Sequence, residues 1–235
     1  MRFQRTRLLL GAENFAKLQA STVAIFGIGG VGSFTAEALA RSGVGHLVLI
    51  DKDDVDVTNI NRQIHALSST VGRSKVEVMR ERILEINPAA EVDAVQKFYL
   101  PDEPAENFFI CEYDYAVDAI DTISAKIELA VECQRRKIPL ISSMGAGNKL
   151  DPTRFKVADI FQTSVDPIAK VMRKKLRERG VERLKVVYSE EVPRKIDAGD
   201  KVIGSAAFVP SVAGLIMAAE VVKDLTEGFC DQGKC

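Results

Sequence analysis

The 235-residue chain has no tryptophan, only two histidines, and four cysteines, at 111, 133, 230 and 235, that form no C-x-x-C pair. A zinc ribbon or a dithiol redox motif therefore lacks its ligand set, and no structural zinc is expected. Cys230 and Cys235 lie in a polar tail where the spacing permits a disulfide that a reducing compartment does not keep, so neither is given a role. Net charge is also lacking: 32 Lys+Arg against 33 Asp+Glu leave −1. This excludes binding of nucleic acid by overall basicity, though not by a local patch. Residues 1–5 lack the charged-then-apolar layout of a signal peptide, which points to a cytoplasmic protein. The most apolar stretch, 206–222, is shorter than the ~20 residues of a membrane span and holds Pro210, Gly214 and Glu220. It reads as a buried helix, with a subunit interface as one place for it, rather than a span.

What is present fits a globular chain with a sizeable core: 46% hydrophobic and 28% charged residues, at a length one α/β domain accommodates. Apolar residues 23–26 lead through Gly27-Ile-Gly-Gly-Val-Gly32 into a helical pattern that ends at Ser42-Gly-Val-Gly45. The apolar run 46–50 then ends on Asp51. Strand, tight turn, helix and strand in this order specify a right-handed βαβ unit. A helix with Val76, Met79, Ile83 and Ile86 at helical spacing comes after Ser74, which with Glu77 spells a capping box. Strands are expected over 91–98, over 115–120 leading to Asp121, and over 140–143, with an amphipathic helix over 123–137. The alternation predicts a Rossmann-like, doubly wound, mostly parallel sheet. Beyond Gly145 the pattern changes to strands over 155–159 and 185–188 flanking a basic helix over 168–179, which predicts a mixed C-terminal half. Residues 190–205 are polar and aperiodic and read as a mobile loop.

Gly27, Gly29 and Gly32 satisfy G-x-G-x-x-G, and Asp51 stands nineteen residues after Gly32. That arrangement sets phosphates on a helix N-terminus and a ribose hydroxyl on a carboxylate, which serves NAD and ATP about equally. The downstream residues choose between them. Asp51-Lys-Asp-Asp-Val-Asp-Val-Thr-Asn59-Ile-Asn-Arg62-Gln63, Gly72-Arg-Ser-Lys75 and Asp118-Ala-Ile-Asp121-Thr occur in register over nearly the whole chain. Together they resemble the ThiF/MoeB superfamily, relatives of the ubiquitin-activating enzymes, which adenylate carboxylates. The resemblance implies ATP as the nucleotide, with Gly27, Gly29, Gly30, Gly32, Asp51, Asn59, Arg62, Gln63, Lys75 and Asp121 around it.

Attack of a carboxylate on the α-phosphate builds negative charge on phosphoryl oxygens, so cations and a metal must meet it. Arg62 and Lys75 supply the cations, and Lys75 opens a helix whose dipole acts on the same group. Asp121, at the end of its strand, suits Mg²⁺, while Asp118, Asn59 and Gln63 take a secondary place. In this superfamily an arginine near one N-terminus reaches the partner's ATP site. Arg5 matches that place, with Arg2 and Arg7 as alternatives, and a homodimer is implied. Residues 1–235 are then one adenylating domain, with 21–145 binding the nucleotide and 146–235 serving substrate and dimer. His46 and His65 have no metal-ligand spacing: His46 reads as structural, His65 as a loop residue near the site. Phe34 and Met79 read as core.

Members that activate a sulfur-carrier protein usually hold zinc with two C-x-x-C pairs, and protein-conjugating members carry a thioester cysteine near the crossover loop; this chain has neither. It is instead similar to the branch that dehydrates threonylcarbamoyladenosine in tRNA. The likeness runs through Asn59-Ile-Asn-Arg-Gln-Ile-His65, Ile138-Pro-Leu-Ile-Ser-Ser-Met-Gly145, Asp151-Pro-Thr-Arg-Phe-Lys-Val-Ala-Asp159, Asp166-Pro-Ile and Phe208-Val-Pro-Ser-Val-Ala-Gly-Leu-Ile216. This implies ATP-dependent cyclisation of the threonylcarbamoyl group on the adenosine beside the anticodon, with no protein nucleophile because the attacking nitrogen is tethered. Residues 170–185, with eight Lys/Arg against two Glu, are a candidate tRNA contact. The helix has no interleaved aromatics for base stacking. The alternatives are activation of a ubiquitin-like sulfur carrier by C-terminal adenylation, an NAD-dependent oxidoreductase, which leaves Arg62, Lys75 and Asp121 idle, and a noncatalytic nucleotide- and tRNA-binding adaptor.

Overall fold

The structure is a computed structural model and describes residues 2–100, 103–196 and 203–227. Its strands are β1 (Thr22–Phe26), β2 (His46–Ile50), β3 (Glu91–Val95), β4 (Tyr115–Asp118), β5 (Leu140–Ser143), β6 (Phe155–Asp159) and β7 (Lys185–Ser189). They form one sheet in the order β3-β2-β1-β4-β5-β7-β6, parallel throughout except for the β6–β7 pair. The mixed C-terminal half expected from sequence is thus an antiparallel edge strand on a parallel sheet. The chain winds outward from β1 to β3 and then crosses to β4 on the other side. The switch point therefore lies between β1 and β4, where a doubly wound sheet opens a crevice at its carboxyl edge.

Alternation along the strands builds two cores. Val23 and Ile25 of β1, with Leu47 and Leu49 of β2, pack on one face against α3 (Gly32–Ser42), α4 (Lys75–Ile86) and α7 (Phe208–Glu227). Ala24, Phe26, Val48 and Ile50 pack on the other against α5 (Ile123–Arg136), α6 (Pro167–Glu178) and an aromatic group of Tyr99, Phe108, Phe109 and Tyr113. Because both faces are covered, these strands read as continuous apolar runs rather than alternating ones. Residues 206–222 fall largely in α7, whose Val209, Ala213, Met217 and Val221 are buried. Among the described residues no helix is long and apolar enough to cross a membrane.

Several local expectations need correction. The strand expected over 91–98 stops at Val95, and the one expected to reach Asp121 stops at Asp118. The Ser74–Glu77 capping box does not form: Ser74 makes no cap hydrogen bond, its buried Oγ has no partner, and Glu77 accepts from Arg80 at 2.9 Å. Phe34 is half-buried and outside the core, whereas Met79 is fully buried. The N-terminal helices α1 (Gln4–Leu10) and α2 (Ala12–Ala20) were not anticipated. Residues 197–202 of the expected 190–205 loop lie outside the described residues, as do Cys230 and Cys235. The start of that loop is held in place, because Glu191 is buried and accepts from the Leu150 and Asp151 amides.

Candidate nucleotide site

The crevice at the carboxyl ends of β1 and β4 is a cavity of about 830 Å³, within the range of a ligand pocket. Its first wall is the glycine turn. Gly27 has φ +91 and donates to the Ile50 carbonyl at 2.8 Å; a Cβ there stands 2.6 Å from the Ala119 carbonyl oxygen. A Cβ on Gly32 stands 1.8 Å from the Gly27 oxygen, so the turn closes upon itself. Gly29 differs, because its absent side chain meets nothing nearer than Gln63 Nε2 at 4.0 Å. Packing within the protein does not require glycine at 29, and the bare backbone faces the cavity. α3 starts here without a side-chain cap; Ser33 N–H is taken by the Gly29 carbonyl at 3.0 Å, which leaves the Gly30, Val31 and Gly32 amides as the donors an anion can meet.

Asp51 accepts from Ile28 N–H at 2.6 Å with one carboxylate oxygen and from Asp53 N–H at 2.9 Å with the other. It therefore braces the glycine turn, and each oxygen keeps a lone pair for a hydroxyl. Burial pushes its carboxyl above the ordinary range, against the opposing pull of Lys75 and these amides.

Lys75 opens α4 and donates from Nζ to Asp53 Oδ2 at 2.9 Å; its side chain is 7% exposed and that of Asp53 50%. Asn59 ends a short 3₁₀ turn, its Oδ1 accepting from Asp56 N–H, and the turn delivers Arg62 and Gln63 to the cavity. Arg62 donates to Thr58 O at 2.8 Å and Asn61 Oδ1 at 2.9 Å. Gln63 is buried with its Oε1 unpartnered, an orphan beside the glycine turn that a ligand hydroxyl or amine satisfies. Asp121 is exposed on the cavity rim, its carboxylate accepting only from Thr122 Oγ1 at 3.2 Å. The structure thus brings Gly27, Gly29, Gly30, Asp51, Asn59, Arg62, Gln63, Lys75 and Asp121 to one cavity. Gly32 lies behind the turn. Arg5 does not line the cavity; it is exposed on α1.

Two buried ion pairs escaped the sequence reading. Lys126 of α5 binds Asp118 at 2.9 Å and the Ile120 carbonyl at 3.0 Å, with the pair at 1% and 0% exposure. Asp118 also takes the Ser142 hydroxyl at 2.5 Å and the Ile120 amide. Asp118 therefore fixes the turn that presents Asp121 and does not itself line the cavity. On the opposite wall Lys149 donates to Asp166 Oδ2 at 2.8 Å, again at 1% and 0% exposure, and to the Gly145 carbonyl. Asp166 Oδ1 caps α6 through Ala169 N–H. Both pairs span turns or crossovers, and neither Lys has a local sequence signal.

His65 is buried with both ring nitrogens unpartnered; burial first, then Lys75 and Arg82, bring it down to about 4.

The tRNA threonylcarbamoyladenosine dehydratase of Bacillus subtilis (strain 168) is 54% identical over 239 residues, covering 95% of this chain and 94% of that protein. The enzyme of the same name from Escherichia coli (strain K12) is 37% identical over 259 residues, covering 99% and 96%. The crystal structure of the E. coli tRNA N6-threonylcarbamoyladenosine dehydratase, TcdA, in complex with ATP superimposes with a TM-score of 0.89 at 38% identity, covering 99% of this chain and 96% of that one. Its complex with AMP gives the same score over 96% and 94%. The ThiF family model matches residues 3–232, and with a sheet, crevice and glycine turn of this form the chain belongs to the ThiF family.

Proposed function

We propose that this protein performs the reaction by which its relatives are named, the ATP-dependent dehydration of threonylcarbamoyladenosine in tRNA. The observation that carries the proposal is a single cavity holding a bare-backbone phosphate cradle, Arg62, Lys75 and Asp121 on one wall and the β5–α6 wall opposite. The threonyl carboxylate attacks the α-phosphorus of ATP and pyrophosphate leaves. A nitrogen of the same side chain then attacks the acyl carbon, and AMP departs with the carboxylate oxygen, so the net loss is one water.

Arg62 and Lys75 meet the charge that grows on the phosphoryl oxygens. Lys75 can give up the half-exposed Asp53 for a phosphate without losing a buried partner. Asp51 and Gln63 orient the nucleoside end. Asp121, a hard oxygen donor with one weak local bond, fits a Mg²⁺ that neutralises the phosphates. No thiolate is required, and the two described cysteines suit none: Cys133 is buried and its thiol pushed well up, and Cys111 is also raised, by burial and then by Asp93 and Glu91.

The basic segment is a weaker cationic surface than its composition implies. Lys185 is buried against Asp224, Arg173 donates to Thr163, and Arg179 pairs with Glu128. Lys170, Lys174 and Arg177 remain on the exposed side of α6, and these are the tRNA contacts we propose, in a cytoplasmic enzyme. Incubation of purified protein with ATP and tRNA, followed by nucleoside mass spectrometry, tests the reaction: the cyclised nucleoside, AMP and pyrophosphate form together. Saturable ATP binding without AMP formation overturns it.

The proposal includes a homodimer in which 146–235 serves substrate and dimer and Arg5 of each chain reaches the other's cavity. It is supported by α1, where Arg5 shares a helix with Leu8 and Leu9 at 78% and 85% exposure. Mixing Arg5→Ala with Lys75→Ala chains in equal amounts then restores roughly a quarter of the wild-type sites after subunit exchange. Activity that stays at the level of the single variants refutes the shared site.

A further inference from the structure

At the amino edge of the sheet, opposite the crevice, Thr22, His46 and Glu91 are the first residues of β1, β2 and β3 and stand side by side in register. Glu91 and Asp93 are two apart on β3, so both project from the same face. His46 Nε2 is 2.9 Å from Asp93 Oδ2, and donor atoms of His46, Glu91 and Asp93 all lie within 4.8 Å of one another. Ligands on a tetrahedral zinc, at bond lengths of about 2.0–2.2 Å, stand about 3.4 Å apart, so small side-chain rotations close this set around an ion. The other ring nitrogen, Nδ1, meets Thr22 Oγ1 at 3.3 Å. On metal binding Nε2 gives up its proton and its bond to Asp93, while Nδ1–H donates to Thr22 Oγ1 and keeps the ring fixed, the outer-shell arrangement of metal-bound histidines.

We propose that His46, Glu91 and Asp93 bind a divalent transition cation, Zn²⁺, at a site separate from the nucleotide crevice. Charges on β3, an edge strand, also guard against edge-to-edge pairing, but a guard needs only charge. It does not need an imidazole converging with two carboxylates and held from behind by a hydroxyl. Among the described residues no lysine or arginine forms a salt bridge with Glu91 or Asp93, and the two anions stand beside the imidazole and close enough to the Cys111 thiol to raise it further than burial does. The imidazole selects zinc over Mg²⁺ and Ca²⁺, which take oxygen donors. Sequence spacing hid the site because its ligands come from two strands 45 residues apart, from His46 to Glu91. The lack of C-x-x-C pairs excludes a thiolate ribbon and leaves this donor set untouched.

The test is calorimetric titration of the whole chain with zinc chloride in the presence of saturating Mg²⁺, which competes at oxygen-donor groups such as Asp121. One zinc per chain is expected. His46→Asn and Glu91→Gln each lower the affinity by at least about tenfold, and Thr22→Val by about tenfold, the usual loss for an outer-shell partner. Glu91 is exposed, so its Gln variant keeps the fold, and pyrophosphate release stays at the wild-type rate in all three. Absence of saturable zinc binding overturns the proposal. So does an isotherm that Glu91→Gln and His46→Asn leave unchanged, which assigns the zinc to thiols or other groups.

Discussion

Two lysine–aspartate pairs on facing walls of the crevice have nearly the same length and buried lysines, but differently exposed carboxylates. Lys75–Asp53 is 2.9 Å long with the carboxylate half exposed, whereas Lys149–Asp166 is 2.8 Å long with both partners sealed from water. Desolvation decides what each can do. An open pair exchanges its anion for a phosphate at little cost, because water receives the displaced carboxylate. A closed pair that loses one partner leaves an uncompensated charge in a medium that cannot solvate it. Distance alone ranks the two as equals; burial separates a pair whose carboxylate water can receive from one sealed into a wall.

The largest expected effect tests that separation on stability. Lys149→Met should lower unfolding free energy by about 3–5 kcal/mol in urea titrations, while Lys75→Met changes it by at most about 1 kcal/mol. Adding Asp166→Leu to Lys149→Met should recover part of the loss, short by about the 1 kcal/mol of the α6 cap that Asp166 provides. Equal destabilisation by the two single lysine variants breaks the comparison.

Activity should show the reverse order. Lys75→Ala and Arg62→Ala are each expected to slow pyrophosphate release by on the order of 10²–10³, the usual loss for one transition-state donor, with melting temperatures close to wild type. A variant with full turnover removes its residue from the phosphate wall.

His65 sharpens the contrast with a buried group that has no partner at all. Its folded pKa of about 4 lies below the ordinary 6.5, so between those values the unfolded chain binds a proton that the folded chain refuses. Stability is therefore full above about pH 6.5 and falls as pH drops toward 4, by up to about 3 kcal/mol. His65→Asn should flatten stability against pH in that window, read from urea midpoints at successive pH values; an unchanged slope assigns the acid sensitivity elsewhere.

The smallest effect concerns α6, which the closed pair caps. Reversing charge at Lys170, Lys174 and Arg177 should weaken tRNA binding and reduce the salt slope by about two to three. ATP affinity should not change. An unaltered slope returns the helix to an ordinary solvated face.

The same contrast between local and distant partners governs what can be read from sequence. The glycine turn, Asp51, Arg62 and Lys75 sit in local motifs, and the βαβ order comes from hydrophobic periodicity, so the fold and the gathering of these residues at one crevice were legible. Lys126 and Lys149 were not. Their carboxylates lie 8 and 17 residues away, across a turn and across β6 respectively; Lys126 inside an amphipathic helix and Lys149 in a loop each look like any solvated lysine. Ser74 failed in the other direction: it has the spelling of a cap, but its hydroxyl is buried without a partner. α1 and α2 were missed because their apolar faces are short, and α1 has no buried residue to set a period.

Gly214 of α7 carries no charge and lines no pocket, yet a methyl group there stands 2.3 Å from the Val31 carbonyl oxygen. Thr35 Oγ1 donates toward that same carbonyl and toward Gly214 O, each at 3.1 Å. α3 and α7 thus meet backbone to backbone at Val31, the residue that precedes α3. Considered as a mechanical joint, this crossing sets backbone against backbone with the Thr35 hydroxyl bonded to both sides, which fixes the spacing between α7 and Val31 closely. Phe208 and Leu215 leave part of α7 accessible from outside. A side chain at position 214 would push directly on the start of α3, where Val31 borders the crevice.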